Sequence, residues 1–276
     1  MTDVPQPTRP LHTVVPDGRR RPLALRVLRG ARVWLVLLVG LACWELAVRL
    51  LDIPAYLLPA PQAVVGELLE KPELYLDALM VTAIESVSGF LIAAVAGFLF
   101  GILIARSPLT EELLYPYLNM IRVTPIVAIA PLLTIWLGHG MAPNVVVAAM
   151  IAFFPIVVGT VLGLKSVDPD LINLMRILNA SELTELRKIR LPNSLPHLFS
   201  AFRVSAPMAV IGALVGEFVG GSRGLGYLLV TAQGQLNTRS VFLLVLISGL
   251  LGIVVFNAAV LVERRVVRWH PSARPD

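Results

Sequence analysis

The sequence holds few residues able to do covalent chemistry. His12, His139, His197 and His270 are scattered, and no pair has the spacing of metal ligands. A single cysteine, Cys43, excludes an internal disulfide framework. There is no GxxxxGK[ST] to cradle a nucleotide phosphate and no HExxH to hold zinc. Ser88 in ESVSGF would need His139 or His197 as its base. The two histidines are expected at opposite edges of a membrane, so they read as loop and interface residues. What remains is a set of charges in apolar surroundings: Glu45, Glu85, Arg122, Arg203 and Glu217. Charge is costly inside a bilayer and marks function by default. Glu45, Arg203 and Glu217 read as near-interface residues that can snorkel. Arg122 is the best placed to face a bundle interior. It either pairs with Glu85 or draws an anionic substrate along a translocation path.

The elements that must position these charges are membrane helices. The chain has 276 residues, 57% apolar and only 15% charged, against about 25% charged in an ordinary soluble domain. Its mean hydropathy is +0.79. Too few polar side chains remain to cover a water-soluble globule, and disorder is excluded by the same excess. Runs of about 20 apolar residues, the length that crosses a bilayer core, are expected near 31–51, 82–105, 114–138, 143–164, 197–219 and 241–262. The fold class is therefore an all-α polytopic bundle of about six transmembrane helices. The third run is interrupted by Pro116, Pro125 and Pro131, each of which removes a backbone donor.

Charge orients the bundle. With the N-terminus inside, the arginines of the tail, Arg106, the basic residues of 165–195 and those of the C-terminal tail all lie inside. Only Arg49, Lys71, Arg223 and Arg239 fall outside. This asymmetry places both termini in the cytoplasm and accounts for the net charge of +5 without nucleic acid. Residues 1–30 read as a disordered basic tail, 31–265 as the transmembrane domain and 266–276 as a cytoplasmic tail. No small-residue cleavage site follows a short apolar stretch, so the start does not read as a cleavable signal. The Gly97/Gly101, Gly159/Gly163 and Gly212/Gly216 pairs permit close helix approach. An outer segment, 61–78, is acidic and partly amphipathic. It meets an extracellular protein or lies on the membrane surface.

The most informative stretch is polar and lies on the basic side: DPDLINLMRILNASELTELRKIRLPNSLP, 168–196. Asp168 followed by Pro169 predicts a helix N-cap and first position. Leu171, Leu174, Met175 and Leu178 recur at helical spacing and give one apolar face. Asn179 tolerates positive φ and can end that helix. Ser181 then caps a second helix with Glu182 and Glu185 in its first turn and Arg187, Lys188 and Arg190 near its end. Pro192 and Pro196 are expected to finish it. The local reading is two short helices joined by a tight bend.

Here the sequence resembles the membrane subunits of bacterial binding-protein-dependent ABC importers. Their motif is Glu-Ala-Ala, two or three residues, Gly, nine residues, then Ile-x-Leu-Pro. Ile189-Arg190-Leu191-Pro192 follows Asn179 at the motif's spacing. Asn173-Leu174-Met175 stands for Glu-Ala-Ala, and Asn179 stands for the Gly. The swap at 179 keeps access to positive φ, while the lost Glu removes a charge that could meet a partner. Within that superfamily the chain is similar to permeases of the nitrate, sulfonate, taurine and pyrimidine-precursor branch over about 40–265. Trp44-Glu45, Leu58-Pro59-Ala60-Pro61, Pro125, Pro131, Trp136, Phe153-Phe154-Pro155-Ile156 and Glu217 with Gly224-Leu225-Gly226 carry the likeness. Residues 210–229 lean toward permeases for a pyrimidine thiamine precursor or riboflavin, ahead of a sulfonate-, taurine- or nitrate-like anion.

The resemblance implies a non-catalytic subunit without cofactor or metal. It implies pairing with a second copy or a sister permease, two cytoplasmic ABC ATPase subunits beneath, and a solute delivered by an extracellular or periplasmic binding protein. The segment near 170–181 would dock on the ATPase. Leu174, Met175 and Leu178 are then expected to make apolar contact, and Arg176, Ser181 and Glu182 polar contact. Asn179 and Ala180 form the bend. A different reading packs the apolar face beneath the protein's own bundle. The rival function is a secondary transporter without an ATPase, which predicts two related halves with matching broken helices; the sequence shows no such repeat.

Overall fold

The computed structural model describes residues 23–267, with side chains from residue 35 onward. The tails at 1–22 and 268–276 lie outside the described residues. The described chain forms helices joined by turns and contains no strand. It divides into two units, 1–52 and 53–276.

The described part of the first unit holds one helix, α1 (Leu23–Leu50), 28 residues long. It begins inside the stretch read as a disordered tail, so 23–30 are helical. Arg49 pairs with Glu45 one turn back, Nε to Oε1 at 2.5 Å. That places a cation in the last turn, where the helix dipole favours it. Asp52, at φ 47°, turns the chain out of the helix.

The second unit opens with α2 (Pro61–Glu70) and α3 (Pro72–Ala105). Prolines at the first positions start both, because a missing N–H costs nothing there. The 34-residue α3 starts well before the expected 82. At 1.5 Å per residue it is about 50 Å long, more than the ~30 Å core, so its first turns lie in the expected outer segment.

The expected third span is not one helix. It is α4 (Pro108–Val123) and α5 (Ile126–Leu137), bent by 92° at Thr124 and Pro125. Pro125 has no N–H and forces the preceding residue out of the helical region, and Thr124 sits extended at ψ 129°. Pro116 and Pro131 are absorbed within α4 and α5. Gly138 and Gly140, both at positive φ, end α5 and lead to α6 (Met141–Lys165).

After the inner segment, with its short α7 (Pro169–Ile177) and α8 (Glu182–Glu185), come α9 (Leu191–Gly220), α10 (Leu225–Gly234) and α11 (Thr238–Val266). Among the described residues, α3, α6, α11 and the helix running from 182 to 220 are each long and apolar enough to cross a membrane. The bent α4–α5 pair makes a fifth crossing if it counts as one.

The core sits where α6 lies between α3 and α9. Ala148, Ala152 and Ile156 of α6 are wholly buried against Ala93, Ala209 and Ala213. Small residues make this possible. A Cβ on Gly212 would fall 2.6 Å from the Ala148 Cα, and one on Gly101 would fall 2.5 Å from the Thr160 Cβ. The three glycine pairs picked out in the sequence thus all lie at contacts with α6 or α9. Phe90, Phe199 and Phe202 close one end with edge-to-face contacts at 5.5–5.6 Å. The outward faces carry Leu91, Val95, Ile211, Leu250 and Val254, all exposed. In water such surface would drive aggregation; in lipid it costs nothing.

Candidate functional site

The inner segment folds as two helices and a bend, built by local chemistry. Asp168 caps α7 (Pro169–Ile177), its carboxylate accepting from the Asp170 N–H at 2.9 Å. The helix ends in a Schellman-type turn. The Ala180 N–H reaches the Met175 carbonyl at 3.0 Å, the Asn179 N–H reaches that of Arg176 at 3.0 Å, and Asn179 sits at φ 53°. Ser181 caps α8 (Glu182–Glu185), accepting from the Thr184 N–H at 3.3 Å.

Pro192 and Pro196 do not finish this second helix, contrary to the sequence expectation. The chain passes through a π-helical turn, Leu186–Arg190, directly into α9. The Leu191 N–H bonds back to Leu186, five residues away. The wider turn gives the Pro192 ring room beside the preceding carbonyls, where an α-helical turn would clash. Arg190 and Glu185, also five apart, pair at 2.6 Å across it. The bend is therefore joined rigidly to a membrane helix. Arg106, at the end of α3, approaches Glu182 at 3.9 Å.

The apolar face of α7 is not used by the rest of the protein. No residue of α7 is buried. Leu174 is 50% exposed, Leu178 66% and Ile177 77%, while Met175 is half-buried. Arg176, Ser181 and Glu182 are exposed and Ala180 half-buried. Packing beneath the protein's own bundle is thus not what the structure shows. Ile177 escaped the sequence reading because it lies one step off the 171/174/178 stripe; its own exposure is the signal.

The intramembrane charges fall differently from expectation. Glu85 and Arg122 do not meet. Glu85 is 1% exposed on α3 and accepts from the Asn144 amide on α6 at 3.0 Å. Arg122 is exposed and stands over the Phe154 ring, 5.2 Å from its centroid, a cation–π contact. Glu217, read as near-interface, is also 1% exposed. It takes a hydrogen bond from Thr82 at 2.6 Å and another from the Gly226 N–H at the start of α10, at 2.5 Å. Arg203 pairs with Glu263 of α11 at 2.6 Å. The sequence did not point to Thr82, Asn144, or the triangle of Glu67, Tyr75 and Ser240, whose mutual bonds span 2.9–3.1 Å. Polar residues inside apolar runs were the available signal; their partners depend on helix rotation.

An α-helical bundle with apolar outward faces and a capped, unburied elbow is what the geometry offers. Residues 97–268 match the binding-protein-dependent transport system inner membrane component. The chain belongs to this family. It is a multi-pass inner-membrane transport component, and its function is that of an importer permease subunit. It is 36% identical over 77% of its length to a probable ABC transporter permease protein of Haemophilus influenzae, covering 89% of that protein. It is 34% identical to the riboflavin transport system permease protein RibX of Chloroflexus aurantiacus, covering 88% of this chain and 91% of the relative. It is 32% identical to the formylaminopyrimidine transport permease protein ThiX of Halalkalibacterium halodurans, over 86% and 94% respectively. In fold it is similar to an amino acid ABC transporter of known crystal structure, with TM-score 0.60 and 15% identity over 72% of this chain and 97% of the other.

Proposed function

We propose that this permease forms the translocation path for a small polar solute and is driven by two separate cytoplasmic ABC ATPase subunits through α7. Leu174, Ile177 and Leu178 supply the apolar contact, Met175 backs them, and Arg176, Ser181 and Glu182 rim it. The Asn179–Ala180 bend fixes the angle. The observation that carries this is an apolar helix face left unburied, held by a cap and a closing turn at its two ends and joined by the Asn179 bend to α8, which runs through the π-turn into α9. Closure of the ATPases would then bias the bundle between two states by differential contact. Both termini are cytoplasmic, as the charge asymmetry requires. A second copy or a sister permease completes the path, lipid surrounds it, and an extracellular or periplasmic binding protein delivers the solute. The solutes named for two relatives, riboflavin and a formylaminopyrimidine, make a heteroaromatic vitamin or its precursor the first class to test.

The test is recovery of the intact permease from native lipid. A nucleotide hydrolase should accompany the wild type and be lost from Leu174→Glu/Leu178→Glu, with insertion unchanged. Normal uptake by that double variant would overturn the docking assignment. Accumulation of solute by vesicles holding this chain alone would overturn the ATP-driven reading.

A further inference from the structure

At the meeting of α3, α6, α9 and α10 lie two buried carboxyl groups. Glu85 and Glu217 are each 1% exposed, and they share one cluster: Thr82, one turn before Glu85 on α3, bonds Glu217, and Asn144, which bonds Glu85, has its Oδ1 2.8 Å from where a Cβ on Gly216, the residue beside Glu217, would lie. Both oxygens of Glu217 already accept. Oε1 takes the Thr82 hydroxyl at 2.6 Å, and Oε2 takes the Gly226 N–H at 2.5 Å. The fold is shaped around this group: a Cβ on Gly224, which sits at φ 100°, would fall 2.1 Å from Oε1, and one on Gly226 2.9 Å from Oε2. The single Thr82 proton has two acceptors in reach, the Ala78 carbonyl at 3.1 Å and Glu217 at 2.6 Å; the shorter contact, to the charged group, takes it, and Thr82 accepts the Leu225 N–H at 2.8 Å. Two orphan donors at the start of α10 are thereby met by side chains of α3 and α9.

Glu85 is different. Its Oε1 accepts from Asn144 at 3.0 Å, but its Oε2 is buried and no donor among the described residues reaches it. No cation balances the pair either. Neither Glu85 nor Glu217 has an ion pair among the described residues, and the titratable residues of the flanking loops, His139 and Arg223, are exposed. Two bare carboxylates side by side, out of water, repel strongly and leave acceptors facing acceptors. One proton resolves every count. Placed on Glu85 Oε2, it donates to Glu217, the orphan atom gains a partner, and the pair carries a single charge stabilised by Thr82 and the α10 amides.

We propose that Glu85 and Glu217 bind one proton between them, Glu85 as donor and Glu217 as acceptor, and that this bridge pins the start of α10 to α3, α6 and α9. The roles are unequal. Glu85 needs one acceptor oxygen and one donor, which a glutamine amide also supplies. Glu217 needs two acceptor oxygens, which glutamine cannot supply.

The test uses the full chain in lipid nanodiscs with ¹³C-labelled glutamate, read by infrared spectroscopy and by thermal unfolding. The wild type should show the C=O stretch of a protonated, buried carboxyl, and Glu85→Gln should lose that band while keeping the wild-type Tm within about 2 °C. Glu217→Gln should lower Tm by about 5 °C or more, because it leaves a buried donor unmet. Absence of any band removed by Glu85→Gln would overturn the proposal. So would equal loss of stability in the two variants, or a wild-type Tm that rises with added sodium or potassium, which would put a metal cation where we place the proton.

Discussion

Truncation of the α7 face gives the sharpest test of how this permease is driven. Full burial of a leucine or isoleucine is worth about 2 kcal/mol. Leu174, Ile177 and Leu178 now leave 50%, 77% and 66% of their surfaces in solvent. Scaling by those fractions, a partner that covers all three gains about 4 kcal/mol of apolar burial. Replacement of all three by alanine keeps each Cβ and forfeits about 3 kcal/mol, roughly a hundredfold in affinity. Area does not convert to absolute affinity, but differences between variants of one interface are more trustworthy. The assay is titration of purified cognate ATPase subunits onto the permease in nanodiscs, with solute uptake in parallel. Because no residue of α7 is buried in the chain itself, the triple variant should unfold at the wild-type temperature. ATPase affinity within threefold of wild type, together with normal uptake, would refute the assignment of this face.

Other outcomes follow from the same geometry. Asn179→Gly should preserve the turn, whereas Asn179→Val at φ 53° should cost roughly 1–2 kcal/mol locally, seen as faster proteolysis between α7 and α8 and weaker ATPase stimulation. Gly212→Ala places a Cβ 2.6 Å from the Ala148 backbone and should destabilise by about 2 kcal/mol; Gly249→Ala, with nothing within 4 Å, should be neutral or slightly stabilising in the same unfolding assay. Arg203→Ala strands the carboxylate of Glu263, which is 3% exposed, at a cost of about 3 kcal/mol. Arg203→Met/Glu263→Leu should recover most of that loss, and failure to recover would show that the pair does more than neutralise itself.

Apolar runs, prolines and charge bias in the sequence determined the helical class, the approximate crossings and the inner elbow. These signals are local: a bilayer-length run, a cap residue or a positive-φ asparagine acts on its own few neighbours. Asp168, Asn179 and Ser181 announced their turns for that reason. The 92° break at Pro125 was signalled as an interruption, but its angle was not, because it depends on how Leu118 of α4 and Leu133 of α5 pack with Val157 and Val147 of α6. Tertiary structure alone decided which side chains face each other. Glu85 meets Asn144 instead of Arg122, since a helix rotated by one residue turns its side chains by about 100°. The same rotation brings Thr82, 135 residues from Glu217 in sequence, to its carboxylate. No spacing within a single helix encodes that encounter.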